Sequence, residues 1–427
     1  MREEVVPVQA FPLYPGWPKK KGAAREVDFG AVEKPGMLWY TPLVNQAPRA
    51  RQKPARGEAG ANTPMRQTYA RVDLARLQDN VRILRGALPP GTKFMAVVKA
   101  DAYGHGMVPV ARAAAAAGAD AFAVALAEEG AALREEGIGE PILVLSGLGP
   151  TSAEEAVSHG LTLTVYTPEQ VRDAQAACGR AGTTAHVHLK LDSGMNRIGA
   201  RNEGEAADVL DALAHAPRLR LEGAYTHFAC ADEDDQAITD SQLERFTRLK
   251  EMLPAGLTLH ASGSAGVLRR ADAHFGLVRS GIAMYGYPPV DTALSLLPVL
   301  SWHAEVSHVK TVLPGEFVSY GATWAADRPT RVATVSVGYG DGFSRALSNR
   351  GVLLIGGMRC PVLGRVCMDM VMADVTHAGP VRPGDDAVLI GEQGGERVTA
   401  QDMARMLSTI SYEVLLGISP RVPRVYA

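Results

Sequence analysis

Lys99 ends the otherwise apolar run FMAVVK. An amine at that position is partly desolvated, and desolvation lowers a lysine pKa and frees the amine to attack carbonyls. A lone strand-end lysine usually just reaches to water, but this one has company. Four other short apolar runs lead into polar groups. LDSGMNRIG brings Arg197, THF brings His227, HASGSAG brings Ser264, and VRSGIAMYG brings Arg279 with the Gly281 and Ile282 amides. A hydroxyl beside free backbone N–H groups, as at Ser264 and Gly281–Ile282, is suited to bind an anion such as phosphate. Tyr103 and Tyr412 add phenolic donors.

The elements that must position these groups are legible between residues 94 and 280. Eight apolar runs occur there: FMAVVK, AFAVAL, PILVLS, TLTVY, HVHLKL, LEGAYT, LTLH and FGLVRS. Helical stretches at 108–117, 128–136, 152–159, 168–181, 204–214 and 238–252 separate them. Eight strand–helix units in about 200 residues predict a TIM-type (β/α)8 barrel. In such a barrel the strand ends share one face, so the six groups converge, and the phosphate site falls near the last two strands. A condensing lysine with a phosphate cradle suggests pyridoxal phosphate (PLP) as cofactor. A doubly wound sheet fits less well, because no G-x-G-x-x-G follows the first strand and no G-x-x-x-x-G-K-[ST] occurs.

Before the barrel, TYARVDLARLQDNVRILRGAL reads as a strand and a helix capped by Asp73. That strand either opens the barrel or joins the following domain. After residue 298 the runs become short, alternating and β-branched, with Gly, Pro and Asp between them, which predicts a mainly β domain. The α/β chain thus divides into a barrel at 65–297 and a mainly β domain at 298–427. Residues 1–64 differ from both. They hold nine of the 27 prolines and two of the four tryptophans, with no helical or strand period. They are expected to be a disordered extension, or an artefact of a start site that truly lies at Met65. The intact mass of the native protein separates these two.

Composition narrows the function. With 44 Lys and Arg against 46 Asp and Glu, the net charge of the 427 residues is −2, which argues against nucleic acid or an anionic membrane as partner. The four cysteines form no C-x-x-C pair, so neither a disulfide scaffold nor a metal site is expected. No run of 18 apolar residues and no signal-peptide pattern is present, so a cytoplasmic enzyme is expected.

The chain from about Tyr69 to Tyr426 resembles the alanine racemase family. AVVKADAYGHG is similar to that family's PLP-lysine signature, and VSYGATW, VGYGDGFSR, GRVCMDM and ISYEVLLGISPRVPR resemble its C-terminal blocks. The resemblance implies a homodimer with shared sites and a small amino acid substrate. Lys99 would hold PLP and serve as one acid/base. Tyr320 from the other subunit would be the second, since racemisation needs proton transfer on opposite faces of a planar carbanion. A phenol ordinarily titrates near pH 10 and so needs activation, to which His227 and Arg279 would contribute. Arg279 would face the pyridine nitrogen and keep it unprotonated, which favours racemisation over decarboxylation. Arg197, Met368 and Asp369 would contact substrate, the last two from the partner. Lys190 matches a position carbamylated in many members; its plainer reading is an ion pair with Asp192. Tyr339 and Arg345 would line the entrance. Tyr103, Ser264, Gly281, Ile282 and Tyr412 would hold the phosphate. Gly263 stands where the family often has Asn, which removes a side-chain contact. His105, inside YGHG, is expected to cap the helix that follows.

The resemblance implies an enzyme that interconverts L- and D-alanine and supplies D-alanine for peptidoglycan. The alternatives are a serine or broad-specificity racemase, because one methylene or hydroxyl is worth only about 1–3 kcal/mol in an apolar pocket, and a non-catalytic PLP carrier. A carrier has no need of Tyr320 and Asp369.

Overall fold

The computed structural model describes residues 67–427. The expectation for residues 1–64 lies outside them. The chain begins with β1 (Thr68–Val72) and turns at Asp73 into α1 (Leu74–Gly86). Asp73 Oδ1 accepts from the Arg76 N–H at 3.0 Å and so satisfies one orphan donor of the first turn.

Strands and helices then alternate. In chain order they are β2 (Lys93–Val97), the short α2 (Lys99–Gly104), α3 (Met107–Ala116), β3 (Ala121–Val124), α4 (Ala127–Glu135), β4 (Ile142–Gly147) and α5 (Pro150–Ser158). There follow β5 (Thr162–Val165), α6 (Pro168–Ala181), β6 (Ala185–Lys190), α7 (Glu203–Ala214), β7 (Leu219–Tyr225), α8 (Ala237–Lys250), β8 (Thr258–His260), α9 (Ser264–Arg269) and β9 (Leu277–Ser280). The local signals are conventional. α6, for example, has Thr167 accepting from the Gln170 N–H, Pro168 in its first turn, and Gly182 at φ 66° beyond its end.

β2–β9 form one eight-stranded sheet in the order β8-β7-β6-β5-β4-β3-β2-β9. Every paired neighbour is parallel, and β9 returns to β2, with Met95 opposite Arg279. At the β8–β9 seam the Gly276 N–H donates to Leu259 O at 3.2 Å and the Arg279 N–H to Ser262 O at 3.0 Å. The result is a nearly closed (β/α)8 barrel. Its strands are buried on both faces, which is why they read as continuous apolar runs rather than alternating ones.

The second sheet comprises β1 together with β10 (Leu300–Val312), β11 (Thr330–Val335), β12 (Val352–Ile355), β13 (Met358–Pro361), β14 (Val371–Asp374), β15 (Asp386–Gln393), β16 (Glu396–Val398) and β17 (Arg424–Tyr426). β1 pairs antiparallel with β10 and parallel with β17. β10 changes partners along its length. Its first half lies between β1 and β15, and past a bulge near Val306 it pairs with β11. Trp302 sits fully buried on it, its indole N–H donating to Thr68 Oγ1 at 3.1 Å.

The run CPVLGRV is strand only through Pro361. Two helices also belong to this region, α10 (Ala400–Leu407) and α11 (Ser411–Leu416). The first carried a readable signal, a capping box in which Thr399 and Asp402 bond reciprocally. α11 brings Tyr412 to the barrel mouth.

Candidate active site

A cleft of about 610 Å³ opens at the C-terminal ends of the barrel strands. Ten of the residues picked from sequence line it: Lys99, Tyr103, Lys190, Arg197, His227, Ser264, Arg279, Gly281, Ile282 and Tyr412. Gly263 lines it too, and no side chain there reaches toward His227.

Lys99 stands two residues past the end of β2, after Val98, and opens α2. Burial lowers its amine pKa, the Arg197 and Arg279 charges lower it further, and Glu129 opposes them. The backbone that follows is unusual. Ala100, Asp101, Ala102 and Tyr103 all have φ between 51° and 55°, one full left-handed turn built from residues that carry Cβ atoms. Such a conformation costs roughly 1–2 kcal/mol per residue, so roughly 4–8 kcal/mol for the four. Hydrogen bonds hold it. The Ala100 N–H donates to Glu129 Oε1 at 2.6 Å, and Arg424 Nε donates to Gly104 O at 2.9 Å. The N–H of Met107, which opens α3, donates to Asp101 Oδ1 at 2.7 Å. Asp101, not His105, therefore caps that helix. The reason is geometric: the His105 ring is turned back, its Nδ1 lying 3.0 Å from Ala102 O and 3.1 Å from Tyr103 O.

Beside Lys99, where β9 pairs with β2, the β8 and β9 ends form a cradle. Ser264 Oγ accepts from the Gly281 N–H at 3.0 Å and the Ala283 N–H at 3.3 Å. The Tyr103 hydroxyl lies 2.5 Å from where a Cβ on Gly281 would be, so only glycine leaves room there. Tyr103 packs between Tyr285 and Tyr412, with ring centroids 5.0 and 5.8 Å away. Burial raises both phenols, Tyr412 to about 12, so both remain neutral hydroxyls able to donate.

Arg279, on β9, is almost wholly buried. Its Nη1 donates to His260 Nδ1 at 2.7 Å. Its Nη2 faces Thr226 O and Ala261 O, both at 2.8 Å, and His227 Nδ1 at 3.1 Å. A guanidinium only donates. Both imidazoles therefore accept on Nδ1 and carry their proton on Nε2, and His260 passes the polarity on by donating to His188 Nδ1 at 2.9 Å. Burial, reinforced by the Arg279 charge, holds His227 and His260 well below the usual histidine range and His188 near 4. Burial also pulls Arg279 down to about 10, which leaves it charged at neutral pH. Gly223 makes room for this chain, since a Cβ there would stand 2.7 Å from the His188 ring.

Lys190 is buried with Nζ 4.3 Å from the Tyr225 ring centroid. Burial, Arg279 and Arg197 hold its amine well below the usual range, against Asp192. The pairing with Asp192 is not what forms. Asp192 Oδ1 instead accepts from the Gly194 and Asn196 N–H groups at 2.9 and 3.0 Å and fixes the loop that carries Arg197.

Tyr320, Tyr339, Arg345, Met368 and Asp369 do not line this cleft. They lie on loops of the second sheet. Tyr320 is 70% exposed and Met368 52%. These loops are tied together: Ser319 Oγ donates to Arg365 O at 2.6 Å, the Tyr339 N–H to Cys367 O at 3.0 Å and the Gly340 N–H to Met368 O at 2.8 Å. Arg421 bridges Asp341 and Asp369.

Sequence reasoning missed Tyr166, Tyr225, His188 and His260. The first two line the cleft, and the histidines lie beneath it. Each falls in or directly after an apolar strand run, TLTVY, LEGAYT, HVHLKL and LTLH. A polar side chain inside such a run is the signal that could have marked the barrel interior.

The family model for the alanine racemase N-terminal domain matches residues 72–289, and that for the C-terminal domain matches residues 299–426. An alanine racemase of Symbiobacterium thermophilum is 45% identical over 369 residues, covering 85% of this chain and 97% of its own. One from Geobacillus stearothermophilus is 44% identical over 367 residues, covering 84% and 94%. The crystal structure of alanine racemase from Bacillus anthracis with bound L-Ala-P superposes with a TM-score of 0.81 at 39% identity, over 86% of this chain and 96% of that one.

Proposed function

The chain belongs to the alanine racemase family of PLP-dependent enzymes, and from that membership we propose how its cleft interconverts L- and D-alanine. The observation that carries the reading is one cleft in which Lys99, the Ser264–Gly281–Tyr103 cradle and the charged Arg279 meet. These residues fit PLP: an amine of lowered pKa for its carbonyl, hydroxyls and a backbone approach without Cβ for its phosphate, and a fixed cation in the same cleft for its ring nitrogen. When bound, PLP supplies a conjugated ring that stabilises negative charge at the substrate Cα.

The chain's own groups do the rest. Ser264, Tyr103, Tyr412 and the Gly281 and Ile282 amides anchor the phosphate. Arg279, clamped by two carbonyls and two neutral imidazoles, would face the ring nitrogen with its fixed positive charge and disfavour a proton there. Arg197 binds the substrate carboxylate. Lys99 moves a proton on one face of Cα. Tyr320 of a second copy of this chain moves it on the other, with Met368 and Asp369 of that copy beside the substrate and Tyr339 and Arg345 at the entrance. The exposure of Tyr320, away from the cleft of its own chain, supports this shared homodimeric site. Lys190, whose amine burial holds well below its usual pKa, would add carbon dioxide with loss of one proton, and the negative charge of the resulting carbamate would hold Arg197. The barrel domain runs from α1 to residue 297, and the β domain comprises 298–427 together with β1, which pairs with β10 and β17. The enzyme works in the cytoplasm and supplies D-alanine for peptidoglycan. Among the described residues no helix is long and apolar enough to cross a membrane. Neither a serine preference nor a carrier role is favoured by any observation.

Chiral chromatography of L-alanine incubated with the PLP-loaded protein tests the reading, with L-serine in parallel. D-alanine should accumulate to parity with the L form. Protein whose absorbance shows bound cofactor, yet leaves L-alanine unchanged, overturns it.

A further inference from the structure

His105 is fully buried and lies outside the cleft, so the proposed chemistry does not use it. Both neighbours of its Nδ1 are carbonyl oxygens, those of Ala102 and Tyr103. A carbonyl only accepts, so Nδ1 carries the proton. Nε2 is then a bare nitrogen, buried with no partner. The ring packs against Tyr285 at 4.5 Å between centroids, and the Tyr285 hydroxyl donates to Val97 O at 3.1 Å, two residues before Lys99. Tyr285 also backs the Tyr103 ring. The two carbonyls gripped by His105 belong to the last two residues of the left-handed turn. That turn starts directly after Lys99 and ends on Tyr103. Residues with Cβ atoms stay in such a conformation only when their surroundings over-determine it.

We propose that His105 is a positioning residue whose Nδ1–H locks the left-handed turn, and that this lock aims Lys99 and Tyr103 at the cofactor. It rests on the reading of those two residues as PLP contacts. The donor matters and the imidazole's basicity does not. Charging the ring would place a second proton on Nε2, which has no acceptor.

The test compares His105→Asn, whose side-chain N–H can replace the Nδ1 donor, with His105→Leu, which keeps bulk and loses the donor. PLP dissociation constants are measured by absorbance titration of cofactor-free protein, well below the thermal midpoint of each variant. The Leu variant should bind PLP at least about tenfold more weakly, and the Asn variant within about threefold of the parent. A role in stability alone would lower both midpoints and leave affinity at that temperature unchanged, which overturns the proposal. Equal losses in Asn and Leu overturn it as well. Should the Leu variant fail to fold, the Asn variant decides alone: crystals must show residues 100–103 still at positive φ, with the amide on both carbonyls, and a relaxed turn that retains full PLP affinity refutes the lock. Parent protein that binds PLP but does not racemise alanine sinks the proposed function alone, since affinity is read without turnover.

Discussion

Replacing Gly281 with Ala puts one methyl group into the cradle. Its Cβ would lie 2.5 Å from the Tyr103 hydroxyl and 3.1 Å from Cζ. Real Cβ atoms essentially never approach as close as the first distance, and the second requires the ring to give by a few tenths of an ångström, so something must move. Tyr103 cannot swing freely, because it is buried between Tyr285 and Tyr412 and its own backbone lies in the left-handed turn. Overpacking of this kind costs about 1–3 kcal/mol. If the cost falls on the bound state, PLP affinity drops by roughly 5- to 150-fold. The assay is titration of cofactor-free protein with PLP. Tyr103→Phe supplies the control. It removes the oxygen at 2.5 Å and leaves the ring carbon at 3.1 Å, so in the double variant the glycine substitution should cost less than it does alone. A coupling of about 1 kcal/mol or more is expected for groups in contact. Undiminished PLP binding by Gly281→Ala, or strictly additive losses in the double variant, would refute the reasoning.

Acid should unfold this protein steeply. His105, His188 and His260 are buried with lowered pKa values, two of them near 4. Below the ordinary histidine pKa of about 6.5 the unfolded chain binds protons that the folded one refuses, so stability falls as pH falls, by about 1.4 kcal/mol per pH unit for each histidine. Three together give about 4 kcal/mol per unit between roughly pH 6 and 4, and a denaturation midpoint that barely moves across that window contradicts the neutral assignment. Arg279→Lys cannot span the two imidazoles and two carbonyls that the guanidinium reaches. Losing two charge-assisted bonds at about 1.5–3 kcal/mol each predicts a loss of roughly 3–6 kcal/mol in denaturant unfolding of the cofactor-free protein, and a loss under 1 kcal/mol would show that the clamp is not built as described. Mixing Lys99→Ala with Tyr320→Phe chains should return up to about a quarter of the sites, by random pairing in a symmetric dimer. Heterodimers without activity would count against a shared site.

Much of the cleft was legible because barrels impose position on chemistry. Once eight apolar runs are recognised, Lys99, Arg197, His227, Ser264 and Arg279 must fall on the same face whatever the loops do. The second sheet was harder. β1 pairs with β10 across more than 200 residues and with β17 near the other end of the chain, and alternation within a strand carries no information about such partners. The left-handed turn at 100–103 was illegible for a different reason. Alanine, aspartate and tyrosine disfavour that conformation, and it is held by side-chain bonds of Glu129, Arg424, Asp101 and His105 together with backbone bonds such as that from the Ala102 N–H to Val98 O at 2.8 Å. His105 was misplaced for the same reason: proximity in sequence to α3 suggested a cap, while its ring packs backward on Tyr285. The imidazole chain below Arg279 depends on Gly223 leaving space, a relation between β6 and β7 that no spacing rule contains.

The most direct test follows the proton. L-alanine is incubated with the PLP-loaded protein in deuterium oxide, and both enantiomers are separated and examined for deuterium at Cα. The account predicts D-alanine that carries solvent deuterium at Cα, and no such product from the Lys99→Ala variant. D-alanine that retains the original hydrogen throughout, or a Lys99→Ala variant that exchanges as fast as the parent, would contradict it.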